Sequence, residues 1–334
     1  MSANIFSILM TILWSSVLIA IFSLLRTRTR LLHICSISTI ILLYLFCALL
    51  LMLPVELPWT HVIPGGRIYN RIHQLLVYRV GGIWVCELLF GLWMIGTLFY
   101  LAGYFIRYYR AMVCFREMPQ EICPAGQGII DKTDRSRRIR VLKTPGLKTP
   151  CCIGVFRKRI FLPDKGYDRE ELRYILLHEY AHHVNGDILL KVLIAVLCGI
   201  YWWNPLVYLL RKNLNQSMEI RSDLSVVRQL KKKERADYLA VMLKTFCEDR
   251  SPDKFVGAAG LVDEHSKSLL ERFQIVADTK IMQKKQINLF AGAMILVIFL
   301  VSYSFILQLK YEAPVSDIET DTSHFYLLQM SVPW

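Results

Sequence analysis

Four long apolar runs restrict this chain more than any other feature. Residues 4–25 and 31–53 contain no Asp, Glu, Lys or Arg, 83–106 carry Glu87 alone, and about 288–307 repeats the pattern. Each is long enough for a hydrocarbon core of about 30 Å. With 54% hydrophobic and 20% charged residues, the 334-residue chain is more apolar than soluble domains usually are. That composition excludes a disordered, collagenous or disulfide-stapled secreted chain. The nine cysteines are odd in number, and the adjacent Cys151 and Cys152 lack the spacing of a zinc clamp. A basic cluster follows the first run instead of preceding it, which argues against a cleaved signal peptide.

Orientation comes from the short connections. The turn 26–30, RTRTR, holds Arg26, Arg28 and Arg30, so it belongs on the inner side, with the N-terminus outside. Arg107 and Arg110 follow the third run, and Lys280, Lys284 and Lys285 precede the fourth. The expected layout is therefore 1–106 with three spans and an outer loop 54–82, a cytoplasmic domain 107–286, a fourth span 287–309, and an acidic external tail 310–334. The outer loop is unusually basic, with Arg67, Arg71 and Arg79 against Glu56, and reads as an amphipathic helix on the outer leaflet. Glu87 is either an intramembrane functional acid or a side chain reaching the interface. The inner domain holds 33 Lys and Arg against 21 Asp and Glu, which suits adhesion to anionic lipid. Neither a zinc finger nor a helix-turn-helix points to direct nucleic-acid binding.

Residues 168–184 read DREELRYILLHEYAHHV. Asp168 followed by Glu171 predicts a helix start with a capping box. Inside the run stands His178-Glu179-Tyr180-Ala181-His182. Residues four apart share a helix face, so both histidines can reach one ion. Glu179, one position round, falls where a general base for water would sit. His183 points about 100° away and reads as a bystander. A third ligand is needed. Asn204-Pro205 predicts the start of a second helix carrying Glu219 and Asp223, again four apart. Glu219 reads either as that ligand or as half of a solvated acidic pair, with Arg221 and nearby lysines as compensating charge. Asp223 could accept a hydrogen bond from the outer nitrogen of a ligand histidine.

Residues 186–203 are almost long enough to cross a bilayer. A single crossing would put Glu219 on the opposite side from the histidines, so the expectation is a helix that dips into the inner leaflet, lies along it, or is buried in the domain. Upstream, a strand near 157–162 serves either as an edge for an extended peptide or as an ordinary hairpin arm.

Together these elements resemble the membrane zinc metallopeptidases of the bacterial beta-lactam sensor-transducer (antirepressor) family. The matching residues are Pro150, Gly154, Ile160, Leu162 and Pro163, then His178, Glu179, His182 and Asp187, then Trp203, Asn204, Pro205 and Leu206, and finally Glu219 and Asp223. The resemblance covers essentially the whole chain. It implies a mainly α integral membrane protein with four transmembrane helices and a gluzincin-like α+β metalloprotease domain between spans three and four. It further implies Zn2+ on His178, His182 and Glu219, with Glu179 as base and Asp223 and Asp187 as supporting acids. Ser222 replaces a cysteine often found there. The best-known members continue into an extracellular penicillin-binding domain with an acylated serine. The tail 310–334 has no S-x-x-K, and the string at 251–254 reads as accidental. The expectation is thus a relative lacking that sensor domain, with the signal supplied by a separate sensor protein or by the outer loop and tail.

The implied activity is cleavage of a cytoplasmic winged-helix DNA-binding repressor, of the chain itself, or both, in antibiotic-resistance regulation at the bacterial cell membrane. Residues 249–266 are a candidate self-cleavage segment, and a homodimer is compatible with this reading. Two alternatives remain: a quality-control membrane protease of the HtpX type, and a non-catalytic zinc-stabilised signalling scaffold.

Overall fold

The computed structural model describes residues 5–27, 36–53, 61–64, 71, 74–134, 136, 138–249 and 259–277, with short pieces between 293 and 308. Helix α1 spans Ile5–Thr27 and α2 spans Ile37–Met52. Ser36 caps α2 by accepting the Thr39 N–H. A two-residue hairpin, β2 (Arg79–Val80) with β3 (Ile83–Trp84), leads into α3, Val85–Glu117. The Glu87 carboxylate accepts the Trp84 N–H in the first turn of α3. That acid therefore sits at a helix end, not deep in the run.

Helix α3 has 33 residues, about 50 Å at 1.5 Å per residue. It continues eleven positions past the expected boundary at 106, because nothing between Arg107 and Glu117 breaks a helix. Only 6% of its most apolar stretch is buried, unlike the core helix of a soluble domain. Among the described residues it alone is long and apolar enough to cross a bilayer by itself. The shorter Ile8–Leu24 and Ile37–Met52 are apolar. Most of the fourth expected span, 287–309, lies outside the described residues. Its far end is a strand, β8 (Phe305–Gln308), paired in parallel with β1 (His61–Pro64). A backbone in that ladder cannot also be helical, so the span's last residues and this part of the outer loop are both extended. The other described residues of the loop form a helical turn and the β2–β3 hairpin, not one long amphipathic helix.

A mixed four-stranded sheet comes next, in the order β4 (Glu121–Ile122), β5 (Arg140–Thr144), β7 (Arg159–Pro163), β6 (Cys151–Ile153). The predicted strand near 157–162 is thus β7. It is not an edge, because β5 pairs with it in parallel on one side and β6 antiparallel on the other. The edge strands are β4 and β6, and the edge next to β7 belongs to β6. Gly154 ends β6 with φ +90°, and a Cβ there would stand 2.2 Å from the Arg157 carbonyl oxygen. Only glycine fits so tight a return. Helix α4 (Pro124–Thr133) packs with the sheet and α5 (Arg169–Val184) around Ile130, Val141, Ile160, Leu162 and Leu176.

Asp168 stands at the N-cap of α5, but its side chain makes no capping bond. Glu171 turns inward instead and pairs with Lys244 at 2.9 Å. The lysine comes from α8 (Lys232–Asp249); a tertiary ion pair replaces the predicted capping box.

Helix α6 (Asp187–Ile200) leaves α5 at 55°, and α7 (Pro205–Val227) returns from it. The two form a hairpin set among α1, α2 and α3. Asn204 caps α7, accepting the Leu206 N–H at 3.0 Å, and Pro205 follows as predicted. At the tip, the Tyr201 hydroxyl donates to the Leu51 carbonyl and the Asn204 amide to Ser16 Oγ. Trp93 donates to the Ile200 carbonyl. Nine residues further along α7, and seven and ten further along α1, Asn213 donates to Ser23 and accepts from Arg26. α1 and α7 therefore run side by side for about 15 Å. Gly199 lies against Leu101 and Gly96 against Trp202, closer than any Cβ could approach. One apolar core runs from Tyr44 and Leu51 of α2 through Val207 and Leu214 of α7 to Ile275 of α9 (Ala259–Ala277).

Candidate metal centre

Helix periodicity places His178 and His182 on one side of α5, and α7 brings Glu219 opposite them. His178 Nε2 and His182 Nε2 are 3.2 Å apart. Glu219 Oε2 is 3.5 Å from the first and Oε1 is 3.6 Å from the second. Ligands about 2.0–2.1 Å from a tetrahedral ion stand about 3.3 Å from one another. The three donors therefore have the spacing that such an ion imposes, and they form a group that could hold one.

The outer nitrogens strengthen this fit. His182 Nδ1 lies 2.6 Å from Asp187 Oδ2, and His178 Nδ1 lies 3.1 Å from Asp223 Oδ1. Each carboxylate can only accept, so each ring in its neutral form carries its hydrogen on Nδ1. Both Nε2 lone pairs then face each other and a carboxylate, an arrangement that a positive charge between them, a metal ion or a ring proton, relieves. The titration behaviour agrees. Burial pulls the His178 imidazolium down, but hydrogen bonds to Asp223 and Glu219 outweigh it and lift the ring to about 10. Burial raises Glu219, and the two histidines and Arg272 more than reverse that, holding its carboxyl well below the usual range. Positive charge is what this cluster favours.

Each supporting acid has its own arginine. Asp187 accepts from Arg221, which also reaches the Asn185 carbonyl at 3.5 Å. Asp223 accepts from Arg272 Nε at 2.6 Å and Nη2 at 2.8 Å. The Tyr238 hydroxyl donates to Asp223 at 2.7 Å and lies 3.2 Å from His178 Nδ1. Ser222 Oγ is 3.1 Å from His182 Nδ1. Gly186, at φ +70°, lets the chain turn so that Asp187 comes back to His182.

No motif in the sequence singles out Arg272 or Tyr238. Arg221, expected to compensate Glu219 and Asp223, instead serves Asp187. His183 faces away, with Nε2 3.3 Å from the Arg159 carbonyl.

The donors open onto a cleft of about 840 Å³. Glu179 lines it as well, and Cys151 and Cys152 of β6 form one wall. Burial, reinforced by the Glu179 charge, pushes the Cys151 thiol up to about 12, so that wall is uncharged. Lys191, Arg211 and Lys212 line the side towards α6 and α7.

A helix bearing HExxH, an edge strand along the cleft and a carboxylate from a later helix are the parts from which metal-dependent hydrolase sites are built. The model of the BlaR1 peptidase M56 family matches residues 68–276, and the chain belongs to that family. It is similar to the regulatory protein BlaR1 of Bacillus licheniformis, 34% identical over 110 residues, covering 32% of this chain and 18% of the relative. It is also similar to the regulatory protein BlaR1 of Staphylococcus aureus, 24% identical over 175 residues, covering 52% and 28%. The methicillin resistance mecR1 protein of Staphylococcus aureus is 26% identical over 111 residues, covering 32% and 19%. The matches thus span less than a third of each relative's length.

Proposed function

We propose that this chain is a membrane-embedded zinc endopeptidase that relays an external signal by cleaving a cytoplasmic repressor, itself, or both. One observation carries the reading: three electron-rich donors lie 3.2–3.6 Å apart, and Glu179, on the same helix as the histidines, lines the cleft they open onto. His178, His182 and Glu219 would hold the zinc. When bound there, zinc supplies Lewis acidity, polarising a peptide carbonyl and making water nucleophilic near neutral pH. Glu179 would serve as the general base and acid, accepting a proton from the attacking water and returning it to the leaving amine. Asp187 and Asp223 fix the two rings in the tautomer that leaves Nε2 free. The open backbone of β6 holds the substrate extended by strand addition.

In the membrane reading, α1, α2, α3 and the part of the fourth apolar run that precedes β8 cross the bilayer, with both termini outside and the peptidase inside. The α6–α7 hairpin dips in from the inner face, which puts the cleft just beneath it and keeps Glu219 on the side of the histidines. The repressor substrate would be of winged-helix type, in keeping with relatives whose names record a regulatory protein and methicillin resistance. A separate sensor and a homodimer are compatible partners.

Glu179→Ala tests the reading in a host carrying the candidate repressor. The variant is expected to keep its metal and lose all detectable cleavage. Full repressor loss in that variant would eliminate proteolysis and leave a scaffold. Cleavage of many unfolded membrane proteins instead of one repressor would point to quality control.

A further inference from the structure

Adjacent residues of α9 reach two different places. Glu271 accepts from Arg26 Nη2 of α1, at 3.2 Å to Oε2 and 3.4 Å to Oε1. Arg26 is only 4% exposed, and its Nη1 also donates to the Asn213 carbonyl and to Asn213 Oδ1 of α7. Arg272, one position on, forks onto Asp223 and places Nη1 3.6 Å from Glu219 Oε2. Asp223 is fully buried. Its other neighbours are the Tyr238 hydroxyl and His178 Nδ1. Arg272 is therefore the fixed positive charge in contact with that carboxylate. Without it, the buried carboxylate keeps, among the described residues, those two donors, and the fork that fixes its position against His178 is gone.

We propose that Arg272 is a positioning residue that holds Asp223 on His178, and that the Glu271–Arg26 pair makes this hold depend on the packing of α9 against α1. The proposal rests on the reading that His178, His182 and Glu219 bind the metal. Consecutive helix residues differ by about 100° in direction and 1.5 Å in rise. A roll or slide of α9 that breaks Glu271 from Arg26 therefore also shifts Arg272. Hydrogen bonds of 2.6–2.8 Å weaken once stretched by about half an ångström. A signal that separates α1 from α9 thus reaches His178 through one arginine, while His182 keeps its separate support.

The test uses the full-length chain in bilayer nanodiscs. Co2+ binding is read from its visible absorption, and Zn2+ affinity from competition with a chromophoric chelator. Arg272→Gln is expected to weaken Zn2+ binding by about 10- to 100-fold, the range for loss of a metal site's supporting partner, and to alter the Co2+ spectrum. Arg272→Lys keeps the charge without the fork and is expected to restore part of both. Glu271→Gln is expected to weaken binding about threefold, and the Glu271→Gln/Arg272→Gln pair no more than Arg272→Gln alone. Wild-type affinity and spectrum in both Arg272 variants, alongside lost binding in His178→Ala, would overturn the proposal and leave the metal site standing. Unchanged binding in His178→Ala would instead bring down the metal site itself. Additive losses in the double variant would overturn the link through Glu271. If Arg272→Gln does not fold, Arg272→Lys and Glu271→Gln decide the matter by the same two readouts.

Discussion

The two histidines of the HExxH turn are supported by relays of the same composition but different reach. His182 leans on Asp187, five positions away, and Asp187 on Arg221 of α7. His178 leans on Asp223, which depends on Arg272, forty-nine positions further along the chain, on a helix that is itself tied to α1. The first relay closes within three consecutive helices, so it forms whenever they pack. The second closes only when α9 and α1 are both in place. A single His-His-Glu cluster can thus have one local support and one that reaches to a distant helix.

The comparison breaks most sharply at the two acids. Asp187→Asn and Asp223→Asn are each expected to weaken Zn2+ binding by about 10- to 100-fold, measured by chelator competition. A second substitution should separate them: adding Glu271→Gln to Asp187→Asn lowers affinity further, whereas adding it to Asp223→Asn changes nothing. Equal responses would merge the two relays into one.

Gly186→Ala sharpens the local arm alone. A Cβ there meets nothing within 4 Å, so the penalty is that of φ +70°. It is expected to be about 1–2 kcal/mol of stability, read as a lowered midpoint in thermal unfolding. Metal affinity should fall less than in Asp187→Asn, because the carboxylate remains.

A separate effect concerns His183, next to His182 but outside both relays. Burial brings its imidazole down to about 4, the Lys158 charge adding to this and the bond to the Arg159 carbonyl opposing it. The folded value lies below the ordinary one near 6.5, so the fold favours the neutral ring. That contribution is complete above about pH 6.5 and is lost as pH falls towards 4. Unfolding midpoints of metal-free protein should drop between pH 7 and 5, and His183→Gln should flatten that part of the profile.

Much of this was readable beforehand. Helix spacing puts His178 and His182 together, Asn204-Pro205 announces α7, and a four-residue interval sets Asp223 beside Glu219. These are short-range regularities that need no knowledge of the third dimension. Other features depend on contacts between distant segments. Arg272 and Tyr238 lie in ordinary amphipathic helices, and nothing near them in the chain hints at Asp223. Residues 186–203 are apolar whether they face lipid or the flanks of α1, α2 and α3, so hydropathy alone cannot choose. The strand at 159–163 is recognisable, but its interior place in the sheet depends on β5 arriving from the other side. Residues 305–308 read as the end of a helix because their pairing partner sits more than two hundred positions earlier.

The hydrogen bonds at the hairpin tip carry a consequence for biosynthesis. Tyr201 and Asn204 find their acceptors on Leu51 and Ser16, residues that leave the ribosome long before them. The early helices form a waiting socket, and the later hairpin seats itself there only once its own loop has been made. A fragment beginning at residue 107 would be born without that socket, so the His178–His182–Glu219 cluster is expected to assemble only when residues 1–106 are present.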